Sequence, residues 1–374
     1  MKNLSVMINP ASSLCNLRCK YCFYADVASL REVRSFGVME ERTMMRMLQT
    51  LESGLEPGDR ITLAFQGGEP VMAGLDYFRR LVSVVDRWDK RIHVEYALQT
   101  NATLLDEAWC RFLAEHDFLV GVSYDILRDC HDDARVDASG AGTSRRVEQS
   151  MRLLAQCGAR CNVLCTLTNA VARHPKQVWK QIQRHDLRYI QFTPCLDELE
   201  SPGHSPYALT PERFSAFYCE LFLQWCQELR AGRYRSIKLF DDIVGYCAYG
   251  VPTACGMGGR CQPQLIVEAD GSVYPCDFYC LDTYRLGSMV EQDLQTLLTA
   301  PAMRAFHMRA HTQPALCQDC EFQALCGGGC RRMQRETCCG ENDSFCGYRA
   351  FLKASEPTFR RIARGLTAAQ QRHS

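Results

Sequence analysis

Three cysteines within eight residues, Cys15, Cys19 and Cys22 in the stretch CNLRCKYC, set the strongest limit on how this chain can fold. The loop that carries them must curl until three thiolates face one inorganic group. Four-iron clusters are normally held by four thiolates, so three leave one iron open to a substrate or cofactor. Zinc is the competing occupant, but it prefers four tetrahedral ligands and no fourth partner lies nearby in the sequence.

The chain holds 23 cysteines in 374 residues. A disulfide framework is the weaker account, because a chain of this length can bury one large core and a smaller satellite domain. The opening MKNLSVMINPASS is too polar for a secretory signal. No segment approaches the ~18 uninterrupted apolar residues of a membrane span. A cytoplasmic location follows, where thiols stay reduced and metal ligation explains them better. The 43 basic residues balance 43 acidic ones, which gives no support for a nucleic-acid or membrane partner. Eight cysteines form a pattern in the last third: Cys255, Cys261, Cys276, Cys317, Cys320, Cys326, Cys330 and Cys346. Others, such as Cys110, Cys157, Cys161, Cys165, Cys219 and Cys226, sit in apolar stretches where a free cysteine packs as a small hydrophobe.

Between these regions strand and helix signals alternate. Apolar or β-branched runs occur at Leu4–Ile8, Ile61–Phe65, Ile92–Leu98, Phe118–Ser123, Asn162–Leu167 and Tyr189–Phe192. Helical periodicity covers Glu41–Leu51, Asp76–Trp88, Asp106–Glu115, Arg145–Gln156 and Lys176–His185. Such alternation predicts parallel strands with right-handed crossovers. The fold class is therefore α/β, a partial (β/α)6 TIM-like barrel with its site at the carboxyl ends of the strands. The expected domains are the barrel over 1–206, a helical connection over 207–253, a cysteine-rich metal domain over 254–349, and a closing helix and tail over 350–374. A helix is expected at Pro211–Arg230, one helix signal in DLQTLLTAPAMRAFHMRA, and a last helix at Tyr348–Leu366.

Four motifs carry chemistry. Gln66-Gly67-Gly68-Glu69-Pro70 follows the second strand, and its glycines let the backbone approach a ligand closely, an amino acid moiety being suitable. Tyr21, beside the third cysteine, can pack near an adenine or shield a cluster from water. Asn101 and Ser123 end the third and fourth strands, where their side chains can face a cofactor or cap a loop. Asp277 follows Cys276 in the apolar, aromatic stretch YPCDFY, where burial raises a carboxylate's pKa and makes it a better base.

The cysteine spacing resembles that of radical S-adenosylmethionine enzymes. CNLRCKYCFYAD, FQGGEP, LQTN, VGVS, QFTPCLD, VYPCDFY and CGGGCRR further resemble, in order, the anaerobic sulfatase-maturating enzymes, a group with a carboxy-terminal SPASM iron–sulfur domain. The resemblance runs from about Leu4 to Phe351. It implies that Cys15, Cys19 and Cys22 hold the reducing cluster. It implies that Cys255, Cys261, Cys276 and Cys330 hold a first auxiliary cluster, and Cys317, Cys320, Cys326 and Cys346 a second, making three 4Fe-4S clusters. Gly67, Gly68 and Glu69 match the segment that binds the methionine amino group of S-adenosylmethionine. Tyr24, Gln66 and Gln99 fall where the family holds substrate peptide; Ser123, Leu196 and Arg135 fall at the cofactor, and Asp277 at the catalytic base.

The activity so implied is oxidation of a sulfatase cysteine or serine to Cα-formylglycine, with a flavodoxin or ferredoxin as electron donor. An adenosyl radical removes hydrogen from the target Cβ, Asp277 takes the thiol or hydroxyl proton, and an auxiliary cluster accepts the remaining electron, giving the aldehyde directly from serine or, from cysteine, a thioaldehyde that water hydrolyses. The sequence departs from the family at Ile126 and Ala102, where glycines are usual, and at Ser144, where an aromatic is usual. Because isoleucine resists positive φ, the loop after the fourth strand is expected to differ. Cys280, Cys338 and Cys339 are candidate alternative ligands. The alternative reading is a maturase that cross-links or modifies a small ribosomal peptide. Such enzymes often carry an amino-terminal recognition domain, for which this sequence leaves no room before the cysteine loop.

Overall fold

Six strands alternate with helices as the residue pattern requires: β1 (Asn3–Ile8), β2 (Arg60–Phe65), β3 (His93–Thr100), β4 (Leu119–Ser123), β5 (Arg160–Leu167) and β6 (Tyr189–Pro194). The computed structural model describes residues 3–203, 205–308, 313–339 and 344–370. The tail expected after the last helix lies outside them from residue 371. The fold is mixed α/β with a parallel sheet, and the chain packs as two units. One comprises 1–123, 132–161 and 263–309; the other comprises 124–131, 162–262 and 310–374.

In the first unit, β1 pairs in parallel with β2, β2 with β3, and β3 with β4. Alternate residues face the core, so Val6, Ile8, Ile61, Leu63, Phe65, Val120 and Val122 are buried. Helices Glu41–Ser53 and Leu75–Val85 each bury one apolar stripe, Met44, Met47, Leu48 and Leu51 in the first and Phe78, Leu81 and Val82 in the second. Phe78 meets Phe65 at 4.9 Å and Trp109 at 5.2 Å between ring centroids, both edge-on. Asp106 caps helix Glu107–Glu115 by accepting from the Trp109 N–H at 2.9 Å.

Three further strands came from the cysteine-rich segment, too short to show periodicity in the sequence. After β7 (Ser236–Ile237) of the second unit come β8 (Leu265–Val267), β9 (Ser272–Tyr274) and β10 (Gly287–Ser288). β8 lies in parallel against the free side of β1, with Ile8 opposite Val267, and β9 and β10 add antiparallel edges. The single helix signal expected after residue 293 is two helices, Leu294–Leu298 and Pro301–Met308. Pro301 has no N–H with which to continue the first helix, but it suits the start of the second.

In the second unit β5, β6 and β7 are parallel. Thr210 caps helix Pro211–Arg230, whose aromatic face packs against Lys238–Tyr249 and Gly347–Gln370. Phe222 meets Phe359 at 4.7 Å and Trp225 meets Phe240 at 5.4 Å. The expectation about Ile126 is corrected here. It takes φ +65° and is 1% exposed, the left-handed conformation glycine would take. The Asp125 carboxylate accepts from the Thr166 N–H at 3.0 Å, and the Leu127 N–H reaches the Asp125 carbonyl at 2.6 Å. These contacts fix the backbone on both sides of Ile126, and burial of its side chain offsets the strain. Ala102 likewise takes φ +60°. Ser144 bonds the Asp132 carboxylate through its N–H and hydroxyl at 2.8 and 2.7 Å. Among the described residues, no helix is long and apolar enough to cross a membrane.

Candidate active site

The loop after β1 carries Cys15, Cys19 and Cys22. Its shape is held from two sides. The Arg18 and Lys20 N–H groups donate to the Val136 and Ala134 carbonyls at 2.7 and 2.9 Å. From the other side the GGEP segment donates, with the Gly68 N–H to the Ser12 carbonyl and the Glu69 N–H to the Leu14 carbonyl, both at 2.7 Å. A Cβ on Gly68 would lie 2.1 Å from the Leu14 oxygen, and Gly67 holds φ +108°. Glycine is required at each for a different reason, close approach at one and backbone conformation at the other. Cys22 precedes helix Phe23–Ser29 as its N-cap residue.

The sequence-predicted cofactor residues divide by what they touch. Glu69 is buried and its carboxylate accepts from Thr100 Oγ1 at 2.7 Å, Asn101 N at 2.7 Å and Val71 N at 3.2 Å. Burial raises its pKa, against the pull of those three donors. Glu69 therefore staples the GGEP segment to the end of β3. Asn101 donates to Asn16 Oδ1 at 2.9 Å and lies 3.8 Å from the Cys15 sulfur. Ser123 Oγ accepts from Gln99 Nε2 at 2.8 Å, so these two polar groups hold each other at the carboxyl ends of β3 and β4. Arg135, buried, donates to the Tyr21 hydroxyl at 3.0 Å and stands 6.0 Å from its ring centre. Leu196 is buried in the second unit, next to Cys195.

Asp277 opens a short turn after Cys276. Gln66 Nε2 lies 3.5 Å from its Oδ2, which joins the GGEP strand end to the cysteine-rich segment. Desolvation raises the Asp277 carboxyl above the usual range, opposed by its contact with Cys276. Phe278 stacks edge-on against Phe23 at 4.9 Å.

Sequence reasoning missed the group around Tyr24. Its hydroxyl donates to the Glu268 carboxylate and accepts from Asn9. Asn9 also donates to Glu268 at 3.0 Å, and Arg31 pairs with the same carboxylate at 2.9 Å, both charged side chains being essentially inaccessible. Burial and the neighbouring Glu268 charge push the Tyr24 pKa well up, so it stays a phenol. The available signal was Glu268 itself, a carboxylate closing the apolar run LIV. Cys280 packs in a core with Val27, Ile266 and Tyr274, its thiol donating to the Cys276 carbonyl at 3.6 Å.

Of the eight later cysteines, Cys276 lies in the first unit and the other seven in the second. There the segments 255–261 and 326–330 interlock through glycines. A Cβ on Gly259 would lie 2.2 Å from the Gly327 carbonyl oxygen, and one on Gly256 would lie 2.8 Å from Cys330 Cβ. Cys317, Cys320, Cys326 and Cys346 line one small cavity, together with Cys338 and Tyr348. Among the described residues none of the cysteines forms a disulfide, and no three His, Cys, Asp or Glu side chains converge as a single metal ion requires. A cubane holds its thiolates further apart than one ion does. Thiol-only donor sets, with glycine-cleared backbone around them, fit such a group.

The chain is similar to known proteins over nearly its whole length. Residues 10–172 match the radical SAM superfamily and residues 255–321 an iron–sulfur cluster-binding domain, SPASM. The chain is 36% identical to a cysteine-type anaerobic sulfatase-maturating enzyme of Clostridium novyi, covering 99% of this chain and 100% of that one. It is 27% identical to a serine-type enzyme of Bacteroides thetaiotaomicron, over 88% of this chain and 83% of that one. A solved structure, native anSMEcpe with bound AdoMet and Cp18Cys peptide, superposes with a TM-score of 0.89 at 34% identity, covering 97% of this chain and 99% of that one.

Proposed function

The chain belongs to the anaerobic sulfatase-maturating enzymes, radical SAM oxidoreductases with a SPASM domain, and from that premise we propose that its target is a sulfatase cysteine, oxidised to Cα-formylglycine. The cysteine rather than serine target is favoured by the higher identity and fuller coverage of the cysteine-type relative. The observation that carries the reading is the partly buried Asp277, raised in pKa and contacted by Gln66 from the GGEP strand end.

In this reading Cys15, Cys19 and Cys22 hold a four-iron cluster, and Cys317, Cys320, Cys326 and Cys346 hold an auxiliary one. The open iron and S-adenosylmethionine, when bound, supply hydrogen-atom abstraction from the target Cβ. The chain's own residues do the rest. Gly67 and Gly68 bring bare backbone close to the methionine end of the cofactor, and Glu69 fixes that backbone from behind. Tyr21, Arg135, Asn101 and Ser123 complete the cofactor side. Gln66, Gln99 and Tyr24 orient the peptide, and Asp277 takes the thiol proton. Its desolvated carboxylate is a stronger base than one in water. The barrel and SPASM domain occupy the segments 1–206 and 254–349. A flavodoxin or ferredoxin supplies electrons, and the substrate is met in the reducing cytoplasm before it folds.

The test is incubation of reconstituted, reduced enzyme with S-adenosylmethionine and paired Cys-x-Pro-x-Arg and Ser-x-Pro-x-Arg peptides. Conversion of the cysteine peptide to the aldehyde mass, with 5′-deoxyadenosine formed, is the expected result. 5′-Deoxyadenosine with both peptides unchanged refutes the substrate, and conversion of serine alone refutes the target.

A further inference from the structure

The second unit holds more thiols than its cluster assignment uses. Cys338 is 1% exposed, and its sulfur lies 4.0 Å from that of Cys326. It is also within hydrogen-bonding reach of Cys346. Its main chain is fixed there, because the Gly347 N–H donates to the Cys338 carbonyl at 2.8 Å. A Cβ on Gly347 would lie 2.2 Å from the Pro211 oxygen, so Gly347 itself has no room to shift.

A cysteine that ligates iron is a thiolate and can only accept a hydrogen bond. Between the sulfurs of Cys326 and Cys338, the proton must therefore sit on Cys338. The neighbouring Thr337 hydroxyl donates to the Met333 carbonyl at 2.9 Å, so toward the Cys338 sulfur, 3.6 Å away, it can only accept; Cys326 and Cys346 are the acceptors that carry charge and draw the Cys338 S–H more strongly. We propose that Cys338 donates a hydrogen bond to the ligand sulfurs of the second auxiliary cluster and holds its reduction potential above the value four cysteines alone would set.

The physical basis is charge. Reduction adds negative charge that spreads onto the sulfurs, and a donor there stabilises the reduced state more than the oxidised one. The inference rests on the assignment of Cys317, Cys320, Cys326 and Cys346 as ligands, and it makes Cys338 a donor to them in place of an alternative ligand. It makes Cys338 a positioning and tuning residue, with no contact to substrate. Cys339, within reach of Cys317 and Cys346, remains in place in every variant below.

The experiment is an EPR-monitored potentiometric titration of the full, anaerobically reconstituted chain, with iron and sulfide counted in the same samples. In Cys338→Ala the iron content should match wild type, while one cluster becomes about tenfold harder to reduce, about 59 mV for one electron. Cys338→Ser keeps an O–H donor and should lie nearer wild type. An unchanged potential in Cys338→Ala overturns the proposal. So does loss of one cluster's iron, which would make Cys338 a ligand, or an equal fall in Ala and Ser variants, which would mark a packing effect. A wild-type chain with only two clusters after full reconstitution refutes the ligand assignment itself, and the proposal with it.

Discussion

Gly68→Ala tests the join between the cysteine loop and the GGEP segment. The new Cβ would lie 2.1 Å from the Leu14 carbonyl oxygen and 2.7 Å from its carbon. A carbon–oxygen contact settles near 3.3 Å, so one loop must retreat by about 1.2 Å. The obstacle is backbone, which cannot swing aside as a side chain can. Retreat strains the two 2.7 Å bonds that Gly68 and Glu69 donate to Ser12 and Leu14, each worth about 0.5–1.5 kcal/mol, for a loss of about 1–3 kcal/mol. The larger effect is on geometry, since misplacement by about 1 Å costs on the order of 100-fold in rate. In reconstituted, reduced enzyme, kcat/KM for 5′-deoxyadenosine formation should fall about 100-fold, with iron content unchanged. Gly365→Ala, in the last helix with open space around it, is the control and should leave that rate alone. A wild-type kcat/KM in Gly68→Ala would show that the close approach of the two loops does not place the cofactor.

Asp277→Asn should spare 5′-deoxyadenosine formation while aldehyde yield falls by about 10²–10⁴, read by peptide mass; an undiminished yield removes Asp277 as base. Arg31→Ala leaves the Glu268 carboxylate buried without its cation and should destabilise the fold by about 3–5 kcal/mol in denaturant titration. Glu228, whose pKa is lowered chiefly by its bond from Arg233, gives a pH test. A carboxyl depressed in the folded state adds stability above its unfolded pKa of about 4.3, lost as pH falls through the folded value. The stability gap between wild type and Glu228→Gln should therefore close with acidification from pH near 4.3; a gap that widens would reverse the sign of the coupling.

The cysteine spacing, the GGEP glycines and six of the strands were legible in the chain because each depends on local properties. Thiolate count sets the group held, glycine sets backbone access, and burial on alternate faces sets strand period. The helix Pro211–Arg230 was likewise readable from its proline start, its threonine cap and its long aromatic face. What local pattern could not supply is where distant segments meet. β8 and β9 span three residues each, below the length at which alternation is visible, and only pairing with β1 makes β8 a strand. That pairing carries Glu268 into the core beside Tyr24, Asn9 and Arg31, which are separated from it by more than 230 positions.

Ile126 shows the same division from the other side. Its sequence argued against positive φ, since a β-branched side chain there is strained. The bonds from Thr166 and Leu127 to Asp125, together with burial of the isoleucine, outweigh that preference. Cys338 and Cys280 looked alike as surplus thiols. Packing sends Cys280 into an apolar core and Cys338 to the sulfur of Cys326. The sequence by itself determined which chemistry the chain can hold, because ligand type and spacing are local. The tertiary structure decided which groups surround and tune that chemistry, because burial and hydrogen bonding depend on neighbours that only folding brings together.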